Sequence, residues 1–209
     1  MVRVVTILRS GQDFAPVHVQ ALQKQIHKHS PDVRFTCIAD VPVPRVETIK
    51  AEYTWPTWWL KMEIFKPEVQ GPFLYMDLDT VVRGPIEDFF TGHLQGTMTG
   101  LKDSRPGKFG NGLLWVPEEV RSLLWSEWML DPAHFMKHYE KSYDHRIPRY
   151  DQGFMEDRIP GQHWEDILPG RTVSAQEAMH RGFRKGEDIV ICWGRRRPWH
   201  LPMFGGYYR

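Results

Sequence analysis

The sequence predicts an α/β fold: a mostly parallel central sheet flanked by helices, in a single domain over residues 1–209. Residues 2–40 read strand, helix, strand, a unit that implies parallel pairing through a right-handed crossover. Apolar strands and amphipathic helical stretches then alternate through the rest of the chain. A length of 209 residues suffices for one full core without disulfide staples.

Residues 2–8 read as a buried first strand that ends in the turn Arg9-Ser10-Gly11. Over residues 15–29, Val19, Leu22 and Ile26 fall on one helical face, and Pro31 and Asp32 break the pattern. Residues 34–39 read as a second strand ending at Asp40, and residues 41–44 as an extended connection. Residues 58–65 read as a short helix closed by Pro67, and Gly71-Pro72 leads into the apolar strand 73–76. Residues 97–101 and 112–116 read as strands. Pro117 opens a helix with glutamates in its first turn, as the helix dipole favours. Residues 131–139 and 151–157 read as helices, and 189–193 as a last strand.

Lysine plus arginine is 27 and aspartate plus glutamate 26, so a net charge of +1 gives no global argument for nucleic acid or membrane partners. Cys37 and Cys192 each lie in an apolar run, which predicts buried thiols and a reducing, cytoplasmic setting. No run approaches the roughly 18 apolar residues of a membrane span, and the opening residues carry no cleavage pattern. Nine tryptophans are many for this length. About half are expected in the core, the others along a cleft where the indole N–H finds a partner. Trp55, Trp58 and Trp59 suit either a stacking wall or the core.

Asp77 and Asp79 follow the apolar run Phe73-Leu74-Tyr75-Met76. In an extended segment residues i and i+2 point the same way, about 7 Å apart, so both carboxylates can converge on one cation. Hard oxygen ligands suit manganese or magnesium, completed by water and substrate phosphate. In a parallel sheet ligands sit beyond the carboxyl ends of the strands, where Arg9, Asp40 and the Asp77/Asp79 pair all fall. Two solvated loop carboxylates are the plainer account of the tripeptide.

Five separated segments resemble retaining glycosyltransferases of the GT-A fold, family 8 in type (glycogenin and bacterial galactosyltransferases). Residues 73–82 resemble the metal-binding strand, and Leu60-Lys61-Met62-Glu63-Ile64-Phe65 the helix whose basic residue reaches the donor. Asn111-Gly112 resembles the Asn-Ser/Ala-Gly-Val strand, and Asp151-Gln152 the Asp-Gln helix. Gly194-Arg195-Arg196-Arg197-Pro198-Trp199 resembles Gly-x-x-Lys-Pro-Trp. The resemblance implies a nucleotide-sugar donor, UDP in type, and manganese or magnesium on Asp77 and Asp79, with Asp77 also touching ribose. It implies Lys61 on donor phosphate or sugar, Asp103 and Asn111 on the transferred sugar, and Asp151 and Gln152 at its anomeric side. Gly194 and Arg197 would hold the diphosphate, while Leu8, Arg9, Ser10 and Phe14, with Asp40 at the same edge, would border the nucleoside. The family's third metal ligand, a histidine before the glycine, is replaced by Cys192-Trp193; His200, just beyond Pro198-Trp199, is either a metal ligand reaching back or a surface histidine.

A glycan hydroxyl and a hydroxylated pyrimidine base of phage DNA, the latter in a bacterial host cytoplasm, are both candidate acceptors. Arg181, Arg184, Lys185 and Arg195–Arg197 make the C-terminal quarter locally basic, which suits either a solvated face or a polyanion groove. His134 and His138 have zinc-like spacing with no third ligand in sight. A non-catalytic nucleotide-sugar module and a nucleotidyltransferase are rival readings; the latter needs a glycine- and lysine-rich loop that Leu8-Arg9-Ser10-Gly11 renders poorly.

Overall fold

The structure is a computed structural model that describes residues 3–11, 13–90, 96–103, 108–140, 150–192 and 197–208. Strand β1 (Arg3–Leu8) is followed by helix α1 (Pro16–His29) and strand β2 (Arg34–Ala39), and β1 pairs parallel with β2 from Arg3↔Arg34 to Leu8↔Ala39. Helix α1 starts at Pro16, where a fixed φ costs nothing and the missing N–H needs no partner. The Ala15 N–H donates to His18 Nδ1 (3.1 Å), and Val19, Leu22 and Ile26 are buried, as the periodicity predicts.

Strand β3 (Glu47–Lys50) adds a polar edge to β2, with an Arg34–Glu47 ion pair at 2.8 Å across the two. Residues Thr57–Phe65 form a 3-10 helix, and β4 (Phe73–Met76) pairs parallel with the other side of β1. Strand β5 (Thr80–Val82) leaves this sheet. Strands β6 (Met98–Lys102) and β7 (Phe109–Val116) form an antiparallel pair, β7 lying beside β4. The expected strand at 112 therefore begins at Phe109, which brings Asn111 into the sheet. Helices α2 (Glu118–Trp128), α3 (Pro132–Glu140) and α4 (Tyr150–Glu156) follow. Pro117 stands at the N-cap of α2 rather than inside it.

Strand β8 (Gly161–His163), helix α5 (Trp164–Ile167), strand β9 (Thr172–Ser174), helix α6 (Ala175–Arg181) and strand β10 (Ile189–Ile191) complete the regular elements, with two 3-10 turns at Pro198–His200 and Pro202–Tyr207. The main sheet runs β3-β2-β1-β4-β7-β6-β8 and a small one runs β5-β10-β9. In the main sheet four neighbouring pairs are parallel (β3/β2, β2/β1, β1/β4, β6/β8) and two antiparallel (β4/β7, β7/β6).

Alternation along the strands splits the core in two. Val4, Leu8, Leu74 and Met76 face α1, whereas Val5, Phe73 and Tyr75 face the 3-10 helix, α2 and α4. Each fully buried side chain of this size contributes roughly 1.5–3 kcal/mol. A third, smaller cluster joins Val81, Val173, Ala178, Val190 and Phe204 around the small sheet.

Candidate active site at the carboxyl edge of the sheet

Strands β2, β1 and β4 run parallel, so their carboxyl ends share one edge. The chain builds β2 and β3 on one side of β1 and β4 on the other, which puts the topological switch point between β1 and β4. Ser10 lies just beyond β1, Asp40 just beyond β2 and Asp77 just beyond β4. The Ser10 N–H and Oγ donate to the two Asp40 carboxylate oxygens at 2.8 and 2.9 Å. This fork fixes the β1 and β2 ends relative to one another.

Residues 77–79 form a turn, not the extended segment expected from the sequence: the Thr80 N–H donates to the Asp77 carbonyl at 3.0 Å. The turn arises because β4 belongs to the main sheet and β5 to the small one, so the chain changes sheet at Leu78. Asp77 accepts from the Tyr75 hydroxyl and forms an ion pair with Lys61 Nζ at 3.0 Å. Its own N–H donates to the Gly112 carbonyl at 2.9 Å, and a Cβ at Gly112 would lie 3.3 Å from an Asp77 carboxylate oxygen. Arg197 pairs with Asp79 and has Asp13 at 3.5 Å. The pairing of Ile191 with Thr80 explains this contact, because β10 leads the C-terminal segment back past Asp79.

The electrostatics follow from burial. Desolvation, then the neighbouring Asp77 charge, raises Asp79 to about 6 against the opposing pull of Arg197. Desolvation likewise raises Asp151 to about 6 although Lys61 opposes it. Burial pulls the Lys61 ammonium down, but Asp77 and Asp151 outweigh it, and its pKa stands above the ordinary value. Burial and Asp77 together push the Tyr75 phenol well above its usual range, so it is a donor to Asp77 and never a competing anion.

From Lys61 the network continues inward. Its ammonium donates to the Asn111 carbonyl at 3.2 Å and lies 3.8 Å from Asp151 Oδ2, which accepts from the Asn111 amide at 2.5 Å. The Gln152 amide donates to Asp103 Oδ2 (3.1 Å), the Phe109 carbonyl (2.6 Å) and Glu156 (3.0 Å). Asp77, Lys61, Asp151 and Asn111 thus form one contact chain, with Gln152 carrying it to Asp103. Asp77 follows β4 and Asp103 follows β6, Asn111 lies in β7, Asp151 and Gln152 in α4, and Lys61 in the 3-10 helix. Tyr75 was missed in the sequence reading, although it stands two residues before Asp77 on a strand, where i and i+2 share a face. Gly112 was missed as the residue that leaves room for that carboxylate.

Other expected contributors are placed differently. The Leu8 side chain is fully buried in the core, so a ligand at this edge meets only its backbone. Arg9 is exposed, and Phe14 carries the Arg197 guanidinium on its ring face at 4.7 Å. His200 sits exposed in the turn Pro198–His200, and among the described residues no group of three His, Cys, Asp or Glu side chains gathers as a metal site. Gly194 lies outside the described residues. Cys37 and Cys192 are buried free thiols, both raised to about 12 by desolvation, so neither offers a thiolate. The donor set of Asp77 and Asp79 is all oxygen. Two carboxylates so close that the charge of Asp77 raises Asp79 suit a hard divalent cation that relieves their repulsion, with substrate oxygens completing its shell.

Half the tryptophan question resolves toward packing. Trp59 is buried and stacks on Trp128 at 5.1 Å, and Trp55 stacks on Tyr53 at 4.1 Å. Trp58 remains 53% exposed. In the basic quarter, Arg181 is engaged by Glu177 and Glu187, while Arg184 and Lys185 are exposed. His134 and His138 stack on one another along α3.

The sequence matches no protein-family model and no curated protein. The fold does have solved counterparts. The galactosyltransferase LgtC, in complex with donor and acceptor sugar analogues, superposes with a TM-score of 0.69 and 12% identity, covering 100% of this chain and 95% of that one. An active-site mutant of LgtC gives a TM-score of 0.67 and 11% identity. The glycosyltransferase GlyE of Streptococcus pneumoniae TIGR4 gives 0.65 and 14% identity, with 99% of this chain covering 59% of that one. The chain therefore has the GT-A fold that the sequence segments suggested.

Proposed function

We propose that this chain is a metal-dependent glycosyltransferase that moves a sugar from a nucleoside diphosphate sugar, a UDP-sugar, to a hydroxyl acceptor with retention of configuration. The observation that carries the reading is the network just described. Two close carboxylates, two cations and an Asp-Asn-Gln group meet beyond the strand ends of a GT-A sheet. The Ser10–Asp40 fork receives the nucleoside, and the turn at Asp77 and Asp79 receives the diphosphate through the cation these carboxylates would hold. That cation, when bound, supplies Lewis acidity to the leaving diphosphate.

The chain's own groups do the rest. Glycosyl transfer passes through an oxocarbenium-like state with negative charge building on the leaving group. Lys61 and Arg197 stabilise that charge, and the arginine fork suits phosphate better than the lysine it replaces. Asn111 and Lys61 hold the Asp151 carboxylate in one orientation, where its charge stabilises the positive anomeric carbon. The Gln152 amide is a poor nucleophile, so the acceptor oxygen attacks on the face the phosphate leaves. The anomeric C–O bond to phosphate breaks, the new C–O bond forms, and the acceptor proton passes to the departing phosphate. Asp151 as a covalent nucleophile is the competing route.

A glycan hydroxyl is the favoured acceptor. Arg181, one of the cations a polyanion groove would use, is consumed by Glu177 and Glu187, which weakens the case for DNA. Among the described residues no helix is long and apolar enough to cross a membrane.

The test is thermal stabilisation by a panel of nucleotide-sugars with and without manganese, followed by donor hydrolysis without acceptor. A true donor stabilises by mass action, about 2.7 kcal/mol at a hundredfold excess over Kd. An enzyme of this class hydrolyses it slowly when manganese is present. A binding module shows stabilisation and no hydrolysis, and a nucleotidyltransferase supplied with pyrophosphate converts the nucleotide-sugar to nucleoside triphosphate and sugar 1-phosphate; either result overturns the reading.

A further inference from the structure

The site described so far contacts a donor; nothing in it yet receives the acceptor. Trp58 is the one exposed tryptophan among those described. It stands in the 3-10 helix Thr57–Phe65 one turn before Lys61, and with three residues per turn the two share a face. Its ring lies 6.3 Å from that of Tyr150, tilted by 55°. Tyr150 is braced from behind by Trp59, edge-on at 6.4 Å, and Trp59 by Trp128. Tyr150 immediately precedes Asp151 and has φ +57°, a left-handed conformation that costs a tyrosine on the order of 1 kcal/mol or more. Such strain persists where packing over-determines it, and here the contacts with Trp58 and Trp59 hold the ring of the residue next to Asp151.

The geometry points to Trp58, braced on Tyr150, as the stacking platform for a pyranose ring of the acceptor, alongside the Asp151 and Lys61 side of the site. A rigid aromatic face next to polar groups matches a ligand with apolar C–H faces and hydroxyl edges. The other large apolar side chains exposed among the described residues are Val17 in α1, Leu123, Met129 and Leu130 in α2 and the turn after it, and Met179 in α6, and none of these elements carries a residue of the site. The nucleoside end of the site is anchored elsewhere, at Ser10 and Asp40 beyond β1 and β2. This inference rests on the glycosyltransferase reading for the identity of its ligand.

The test uses the full chain and simple probes: p-nitrophenyl α- and β-glycosides of glucose, galactose, mannose and N-acetylglucosamine, followed by saturation-transfer NMR with UDP and manganese present. UDP affinity is measured on the same samples by calorimetry. At least one glycoside is expected to bind through its ring C–H protons, roughly tenfold more weakly in Trp58→Ala, with most affinity kept in Trp58→Phe and the UDP affinity held. Absence of glycoside binding to the unaltered protein overturns the platform, as does equal binding by Trp58→Ala. Loss of UDP affinity in Trp58→Ala also overturns it and assigns the ring to the nucleotide. Trp58-dependent glycoside binding without any hydrolysis of a UDP-sugar leaves the platform standing and removes the transferase reading; hydrolysis without glycoside binding does the reverse.

Discussion

At the scale of single residues, the geometry separates groups that carry chemistry from groups that hold them. Asp79 is expected to be indispensable: Asp79→Ala should lower transfer on the order of a hundredfold or more, since it removes half the protein's ligand set for the cation. Circular dichroism should show the fold intact, and undiminished, chelator-resistant turnover in that variant would sink the metal assignment. Tyr75 is fully buried and its hydroxyl donates to Asp77, so it is a positioning residue. Tyr75→Phe deletes one hydrogen bond while keeping the buried ring, a loss of about 1 kcal/mol. The expected signature is an increase of about fivefold in the manganese concentration giving half-maximal activity, with a smaller change in the donor KM. Equal shifts in both would point to general loosening instead.

At the scale of elements, the 3-10 helix Thr57–Phe65 is the piece on which most depends, because it carries both Lys61 and Trp58. It is pinned by a fully buried pair, Glu63 and Lys66, at 3.1 Å. Glu63 also accepts from the N–H groups of Glu52 and Tyr53 at 2.8 and 3.0 Å, and Lys66 donates to the Lys50 carbonyl at 2.7 Å. Glu63→Ala strands a buried ammonium and two backbone donors. It should cost about 3–5 kcal/mol, read as a lowered urea midpoint at unchanged slope. The helix itself was legible as an apolar run stopped by Pro67, and so were β1, α1, β2 and β4, whose periodicities are strong. The strands that escaped notice are three or four residues long. Glu47–Lys50 is polar because it is an edge, and Thr80–Val82 was absorbed into the motif before it; neither is long enough for a period to show.

At the scale of the molecule, the site joins segments far apart in sequence: Lys61 to Asp77 across 16 residues, Asn111 to Asp151 across 40, Arg197 to Asp79 across 118. Individual motifs could be read along the chain, but their meeting could not, because it depends on β10 pairing with β5 in a second sheet that spacing alone does not announce. The gathering buries Asp79 and Asp151 and lifts both from 3.8 to about 6, with a consequence for the whole protein. Between those values the native state binds protons that the unfolded chain has released. Stability from these two groups therefore falls as pH rises from about 4 to about 6 and is flat above. Catalysis needs both groups ionised. A bound cation would keep Asp79 ionised, so at saturating manganese kcat/KM should fall with Asp151 alone, about tenfold per unit below about 6, and more steeply at low manganese, where protons compete with the cation for Asp79. Activity and this part of the stability must then move in opposite directions on acidification. The check is to measure Tm from pH 4 to 7 for the unaltered chain and for the double variant Asp79→Asn, Asp151→Asn. The Tm difference, unaltered minus variant, should grow as pH falls through 6 while activity of the unaltered chain declines. A difference that stays flat through that window would mean that the two carboxylates titrate as they do in water and that the site is open rather than buried.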